Sequence, residues 1–155
     1  MTKSSSTTTT SHSSPSSAEI DNTTNELKTL TLASLGAFNT KDFTYTATTA
    51  ARDFESRISP NFTAELERVD GVLSWADLID LWRRLADSMP DARFEVENVD
   101  VDVFEYGRAS VFVETRSPVK ERVRLGHMMV FKWVRDREGV WRHCGFTSIG
   151  GSRGD

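Results

Sequence analysis

Phe94-Glu95-Val96-Glu97-Asn98-Val99-Asp100-Val101-Asp102-Val103 is the stretch that decides how this chain folds. Its apolar residues recur at every second position, the period of a strand with one covered face. The parity then changes: Phe94 and Val96 are even, whereas Val99, Val101 and Val103 are odd. A strand keeps one face apolar through such a change only by inserting a residue. A β-bulge is therefore expected near Asn98, and with it a sharp bend.

Downstream the period of two persists. Tyr106-Gly107 reads as a turn, Val111 and Val113 alternate with Phe112 and Glu114, and Ser117-Pro118 reads as the next turn. A long strand is expected from about Glu121 to Val134, with Val123, Leu125, His127, Met129, Phe131 and Trp133 on its odd face. Its even face is also partly apolar, through Met128, Val130 and Val134, and a strand apolar on both faces needs cover on both. Asp136-Arg137-Glu138-Gly139 turns the chain into a last strand, Val140 to Ile149. The result is a four-strand meander.

Upstream the pattern is helical. Ser74 caps a helix with Asp77 three residues on, Leu73 and Leu78 have staple spacing, and Leu78, Leu81, Trp82, Leu85 and Met89 form one stripe before Pro90 ends it. Thr23 and Glu26 have capping-box spacing ahead of a first helix, in which Leu27, Leu30, Thr31, Ser34 and Phe38 share a face. A shorter helix is expected over Tyr45 to Phe54, and Arg57-Ile58-Ser59-Pro60 reads as a short extended segment. Helices first and strands second predict an α+β fold: a single domain in which three N-terminal helices pack on a strongly curved antiparallel sheet.

Composition sets the outer bounds. Residues 1–22 are nearly all Ser and Thr and lack the apolar side chains that would offset ordering, so a disordered tail is expected there. The domain then spans 23–150, and 151–155 form a flexible end. Net charge is −4 with both signs interleaved. The absence of a basic stripe argues against nucleic acid as a partner. No apolar run reaches the ~20 residues that cross a bilayer, and no secretory signal is visible. With Cys144 the sole cysteine, no internal disulfide can form, and a cytoplasmic location is expected. Neither a Gly-rich loop after a strand nor histidines at ligand spacing are present, so neither a dinucleotide nor a metal is expected.

His127 is the first candidate for chemistry. An imidazole among Leu125, Met129, Phe131 and Trp133 would be favoured in its neutral form, which suits a general base. The alternative is a core histidine bonded to backbone or to a carboxylate. Trp82 and Trp133, with Met129 and Phe131, are candidate pocket walls or simply core. Glu114 either shares an internal face with Phe112, where its pKa would rise, or is an ordinary surface charge. His143 and Cys144 are adjacent on a strand and so point to opposite faces, which rules them out as a nucleophile–base pair.

The element order resembles the nuclear-transport-factor-2-like superfamily, also called SnoaL-like after the polyketide cyclases. Three passages carry the likeness: Ala37-Phe38-Asn39-Thr40-Lys41-Asp42-Phe43, the bulged hairpin Phe94 to Thr115, and Gly139-Val140-Trp141-Arg142 through Ser148. It implies a bent sheet wrapped into a cone-like barrel around an apolar pocket, homodimers, and proton-transfer chemistry without metal or organic cofactor. Ala51 to Pro60 further resembles a segment of fungal secondary-metabolism isomerases, where an arginine and an acid precede a histidine. Arg52 and Asp53 match the first two, whereas Ser56 stands at the histidine position. The resemblance therefore implies Arg52 and Asp53 at a pocket mouth, the first steadying an enolate oxygen and the second moving a proton. The ligand implied is a small apolar metabolite of polyketide or terpenoid type, handled by an isomerase, cyclase or dehydratase. A non-catalytic binding or dimerisation module of the same fold is the alternative.

Overall fold

The computed structural model describes residues 16–67, 69–118 and 124–150. The Ser/Thr tail before residue 16, the start of the long strand at 119–123 and the end at 151–155 lie outside the described residues. Among the described residues three helices, α1 (Ser17–Asn39), α2 (Thr49–Ser56) and α3 (Trp75–Ser88), accompany five strands. These are β1 (Ile58–Leu66), β2 (Glu95–Phe104), β3 (Arg108–Pro118), β4 (Arg124–Arg135) and β5 (Trp141–Gly150).

α1 begins earlier than its Thr23–Glu26 spacing suggests. Ser16 caps it in a complete capping box, its hydroxyl accepting from the Glu19 amide at 3.2 Å while the Glu19 carboxylate accepts from the Ser16 amide at 2.9 Å. Residues 17–22, expected in the tail, are thus helical. The stripe Leu27, Leu30, Thr31, Ser34 and Phe38 is buried, as its spacing predicts. α2 starts at Thr49, later than Tyr45, because the Thr48 hydroxyl caps it. α3 begins as expected, with Ser74 accepting from the Asp77 amide at 3.1 Å.

The sheet runs in the order β1-β5-β4-β3-β2. Two features depart from the expected closed antiparallel cone. Ile58–Leu66 is a full strand and lies parallel to β5, which makes the sheet mixed. β1 and β2 remain as separate edges, so the sheet is bent but not closed. The bend has local causes: register shifts fall between Val96 and Asn98, as the parity change predicts, and between Lys132 and Trp133. Tyr106 and Gly107 both adopt positive φ, 63° and 68°, within the three-residue connection, Glu105 to Gly107, that joins the paired Phe104 and Arg108.

All three helices cover one face of the sheet. Phe38 of α1 meets Phe94 at 4.8 Å, Phe54 of α2 meets Trp133 at 6.0 Å, and Trp82 of α3 meets Phe146 at 5.6 Å. The Asn39 side chain locks α1 to the start of β2. Its amide nitrogen donates to the Phe94 carbonyl at 2.9 Å and its oxygen accepts from the Phe94 amide at 2.8 Å. That bidentate grip fixes where the bulged strand leaves the helical layer.

Candidate functional site

The concave face is filled along most of its length. Val111, Val113, Met129, Phe131, Trp133 and Phe146 are buried and packed in one cluster. Met129, Phe131 and Trp133 therefore serve as core rather than as the walls of a described pocket. Trp82 is likewise enclosed, edge-on to Phe38 at 5.8 Å. Glu114 lies on the opposite, exposed face beside half-buried Phe112, as an ordinary surface charge.

His127 does face inward, toward the end of the sheet where the cover thins. It is half-buried, edge-on to Phe94 at 6.0 Å and 87°, and has no hydrogen-bond partner among the described residues. Burial pushes its pKa below the usual histidine value, so the imidazole is neutral near pH 7. Ladder register puts it in a row with Val96 of β2, Thr115 of β3 and Gly150 of β5. Val96 is 41 % exposed although it belongs to the core-facing set, so among the described residues the cover is thin at this end.

Arg52 and Asp53 do not join this row. The Arg52 guanidinium donates to the Thr46 carbonyl at 2.8 Å and the Thr49 hydroxyl at 3.3 Å, both at the surface. Asp53 pairs with Arg57 at 2.9 Å, and Arg57 also pairs with Glu26 at 2.9 Å and donates to the Trp141 carbonyl at 3.5 Å. Trp141 faces Arg135, eight residues along β4 from His127, roughly 25 Å at the rise of a strand. The two halves of the expected catalytic set thus occupy opposite ends of the sheet. Helix neighbours point about 100° apart, and here both turn outward.

The structure brings forward Thr115, which the sequence reading passed over, and His143, which it weighed only as a partner for Cys144. Thr115 continues the alternation Val111, Val113 and so must face the core, a signal present in the pattern. His143 is fully buried among Phe54, Phe62, Trp75, Phe131 and Trp133, and only the register shift at Lys132/Trp133 determines its side. On the helical side a groove of about 270 Å³ opens between the α1–α2 connection and α3, lined by Phe43, Tyr45, Glu55, Trp75, Ile79 and Arg83 among others. It does not include His127. Among the described residues no three His, Cys, Asp or Glu side chains gather as metal ligands, and no helix is long and apolar enough to cross a membrane.

No protein-family model matches the sequence, and no curated protein matches it. Solved structures do. Nuclear transport factor 2 from Cryptosporidium parvum is 15 % identical with a TM-score of 0.56, over 80 % of this chain and 90 % of that one. A hexachlorocyclohexane dehydrochlorinase from Novosphingobium barchaimii is 12 % identical with a TM-score of 0.63, over 83 % and 86 %. A SnoaL-like protein of unknown function from Burkholderia thailandensis is 17 % identical with a TM-score of 0.53, over 76 % and 88 %. Helices on one side of a bulged, bent sheet, shared with all three across most of their length, give this chain the nuclear-transport-factor-2-like (SnoaL-like) fold.

Proposed function

We propose that the chain binds a small apolar metabolite at the open end of its concave face and moves a proton on it with His127. The observation that carries this reading is the state of that side chain. It is desolvated enough to stay neutral, without a hydrogen bond to any described residue, and set against the edge of Phe94. A neutral imidazole in apolar surroundings is a general base that needs neither metal nor organic cofactor. The reaction class is isomerisation, cyclisation or elimination on a ring system of polyketide or terpenoid type. The dehydrochlorinase among the structural neighbours supports that class. The unpaired Cys144 accords with a cytoplasmic setting.

His127→Ala tests it through two readouts. A core histidine that satisfies a buried partner should cost about 1–3 kcal/mol on removal. An unengaged pocket base should cost little, so the variant is expected to melt within a few degrees of the wild type while binding or turnover of ring ketones and alcohols is lost. Strong destabilisation with unchanged binding would sink the catalytic reading. The separation of Arg52 and Asp53 from His127 favours the second reading, a ligand-binding or dimerisation module without catalysis.

The outer face supports a homodimer. Phe112 stands opposite Val130, and Met128 stands opposite Ile149, which is 50 % exposed. These apolar residues share one face of β3, β4 and β5, among Glu114 and Thr147, and half-buried Val134 follows beyond exposed Lys132. Light scattering at micromolar concentration is expected to give twice the chain mass, and Val130→Glu to halve it. A wild-type monomer would refute this.

A further inference from the structure

On the core face of β3, Ala109, Val111 and Val113 are hydrocarbon, and the next residue of the set, Thr115, carries a hydroxyl. Thr115 is 1 % exposed, and its Oγ1 has no hydrogen-bond partner among the described residues. Such atoms are few in folded domains, and each calls for a reason. Valine has nearly the same shape and would complete the pattern without stranding a polar atom. Thr31 Oγ1 and Trp133 Nε1 are also buried without partners, but Trp133 lies six residues farther along β4. Of the three, Thr115 is the one in ladder register with an accessible titratable group.

That group is His127, directly opposite on β4, with Val96 opposite on the β2 side. Facing residues of neighbouring antiparallel strands hold their Cβ atoms about 4.5–5.5 Å apart. A neutral imidazole offers one donor and one acceptor, and a threonine hydroxyl offers a donor and two lone pairs. Side by side in an apolar wall, the two make a complementary seat for a single oxygen atom. Resting on the reading of this end as a ligand site, we infer that Thr115 is a positioning residue. Its hydroxyl donates to a carbonyl or hydroxyl oxygen of an otherwise apolar ligand, held beside His127. The seat therefore selects ring ketones and alcohols over the parent hydrocarbons.

The test uses the full chain, the variants Thr115→Val and Thr115→Ser, and two probes of one bicyclic skeleton: 1-tetralone, which has a carbonyl, and tetralin, which does not. Binding is followed by NMR on the Thr115 methyl, where present, and on the His127 ring, and stability by thermal melting. Wild type should prefer 1-tetralone by about tenfold, the worth of one good hydrogen bond. Thr115→Ser should keep that preference. Thr115→Val should lose most of it while melting at or above the wild-type temperature, since an unpartnered buried hydroxyl has been removed. A Thr115→Val variant that keeps the full preference, or that melts several degrees lower, overturns the role of Thr115 and leaves the His127 site standing. If neither probe binds the wild type, the site reading fails and this inference with it.

Discussion

Stability toward urea is expected to fall as the pH is lowered from 7 to 5, and replacing His143 with phenylalanine is expected to flatten that fall. His143 is buried in a ring of Phe54, Phe62, Trp75, Phe131 and Trp133, with Phe131 stacked on it at 5.4 Å and 26°. Its Nδ1–H donates to the Lys132 carbonyl at 3.2 Å. Burial dominates and drives its pKa down to about 3, against a smaller upward push from the Lys132 carbonyl. The unfolded chain binds that proton near pH 6.5. Between those two values the unfolded state carries the extra proton and the native state does not. The stabilisation is therefore complete above about pH 6.5 and is lost progressively as the pH drops toward 3. The limiting slope is ~1.4 kcal/mol per pH unit, so about 2 kcal/mol should disappear between pH 7 and pH 5.

Other groups act outside that window or can be separated from it. Asp42 and Asp136 are held below the ordinary carboxylate value of 3.8 chiefly by the backbone amides of Ala47 and Val140, so their contribution is lost only at lower pH. His127 is lowered in the same direction as His143, and His127→Ala reports its share. The measurement is a set of urea titrations at pH 7, 6 and 5 on wild type and His143→Phe. Equal slopes in the two proteins would refute the account, whatever the absolute stability of the variant.

Phe54→Ala should be the most damaging single truncation in the helical layer. Phe54 is 0 % exposed and is the ring that joins α2 to the sheet. It stacks on Tyr45 at 5.6 Å, tilts against Trp75 at 5.8 Å, stands edge-on to Trp133 at 6.0 Å and lies 5.3 Å from His143. Those neighbours belong to four separate segments, and none can collapse into the space without leaving another partner. Removing a phenyl ring from such a site costs about 3–5 kcal/mol, a large part of the 5–15 kcal/mol that holds a typical domain together. A fall in Tm of more than about 10 °C is expected. Arg52→Ala, two residues away at the surface, is the control and should change Tm by no more than a degree or two. Equal effects from the two would mean that α2 is not anchored through Phe54.

How much of this was legible depended on whether the signal was local. α3 could be read because Ser74, Asp77, Leu78 and Trp82 act within one or two turns of each other. The bulge could be read because a change of parity at Asn98 has one economical explanation. The start of α1 could not, since a run of serines and threonines offers many equivalent caps and the Ser16–Glu19 pair outcompetes Thr23–Glu26. β1 was read as a short segment because its partner, β5, lies far along the chain and nothing near Ile58 announces it. The same limit applies to the candidate site. The alternation of β4 placed His127 inward, but whether Arg52 and Asp53 reach it depended on which end of the sheet α2 covers. The choice of ladder partner settles that, and hydropathy does not.

The parallel pairing of β1 with β5 also imposes an order on assembly. Thr63 lies beside Gly145 and Leu66 beside Ser148, residues about eighty positions apart. During synthesis β1 leaves the ribosome long before its ladder partner exists, and its backbone must wait, hydrated or shielded by Leu73 through the Ala64 bridge. β2, β3 and β4 can zip as hairpins while the chain is still growing, whereas β1 docks only after the last strand has been released. Loop closure over such a span is entropically slow. The nascent domain therefore carries an orphan strand edge until β5 has emerged, and that edge is where premature pairing with a neighbouring chain would begin.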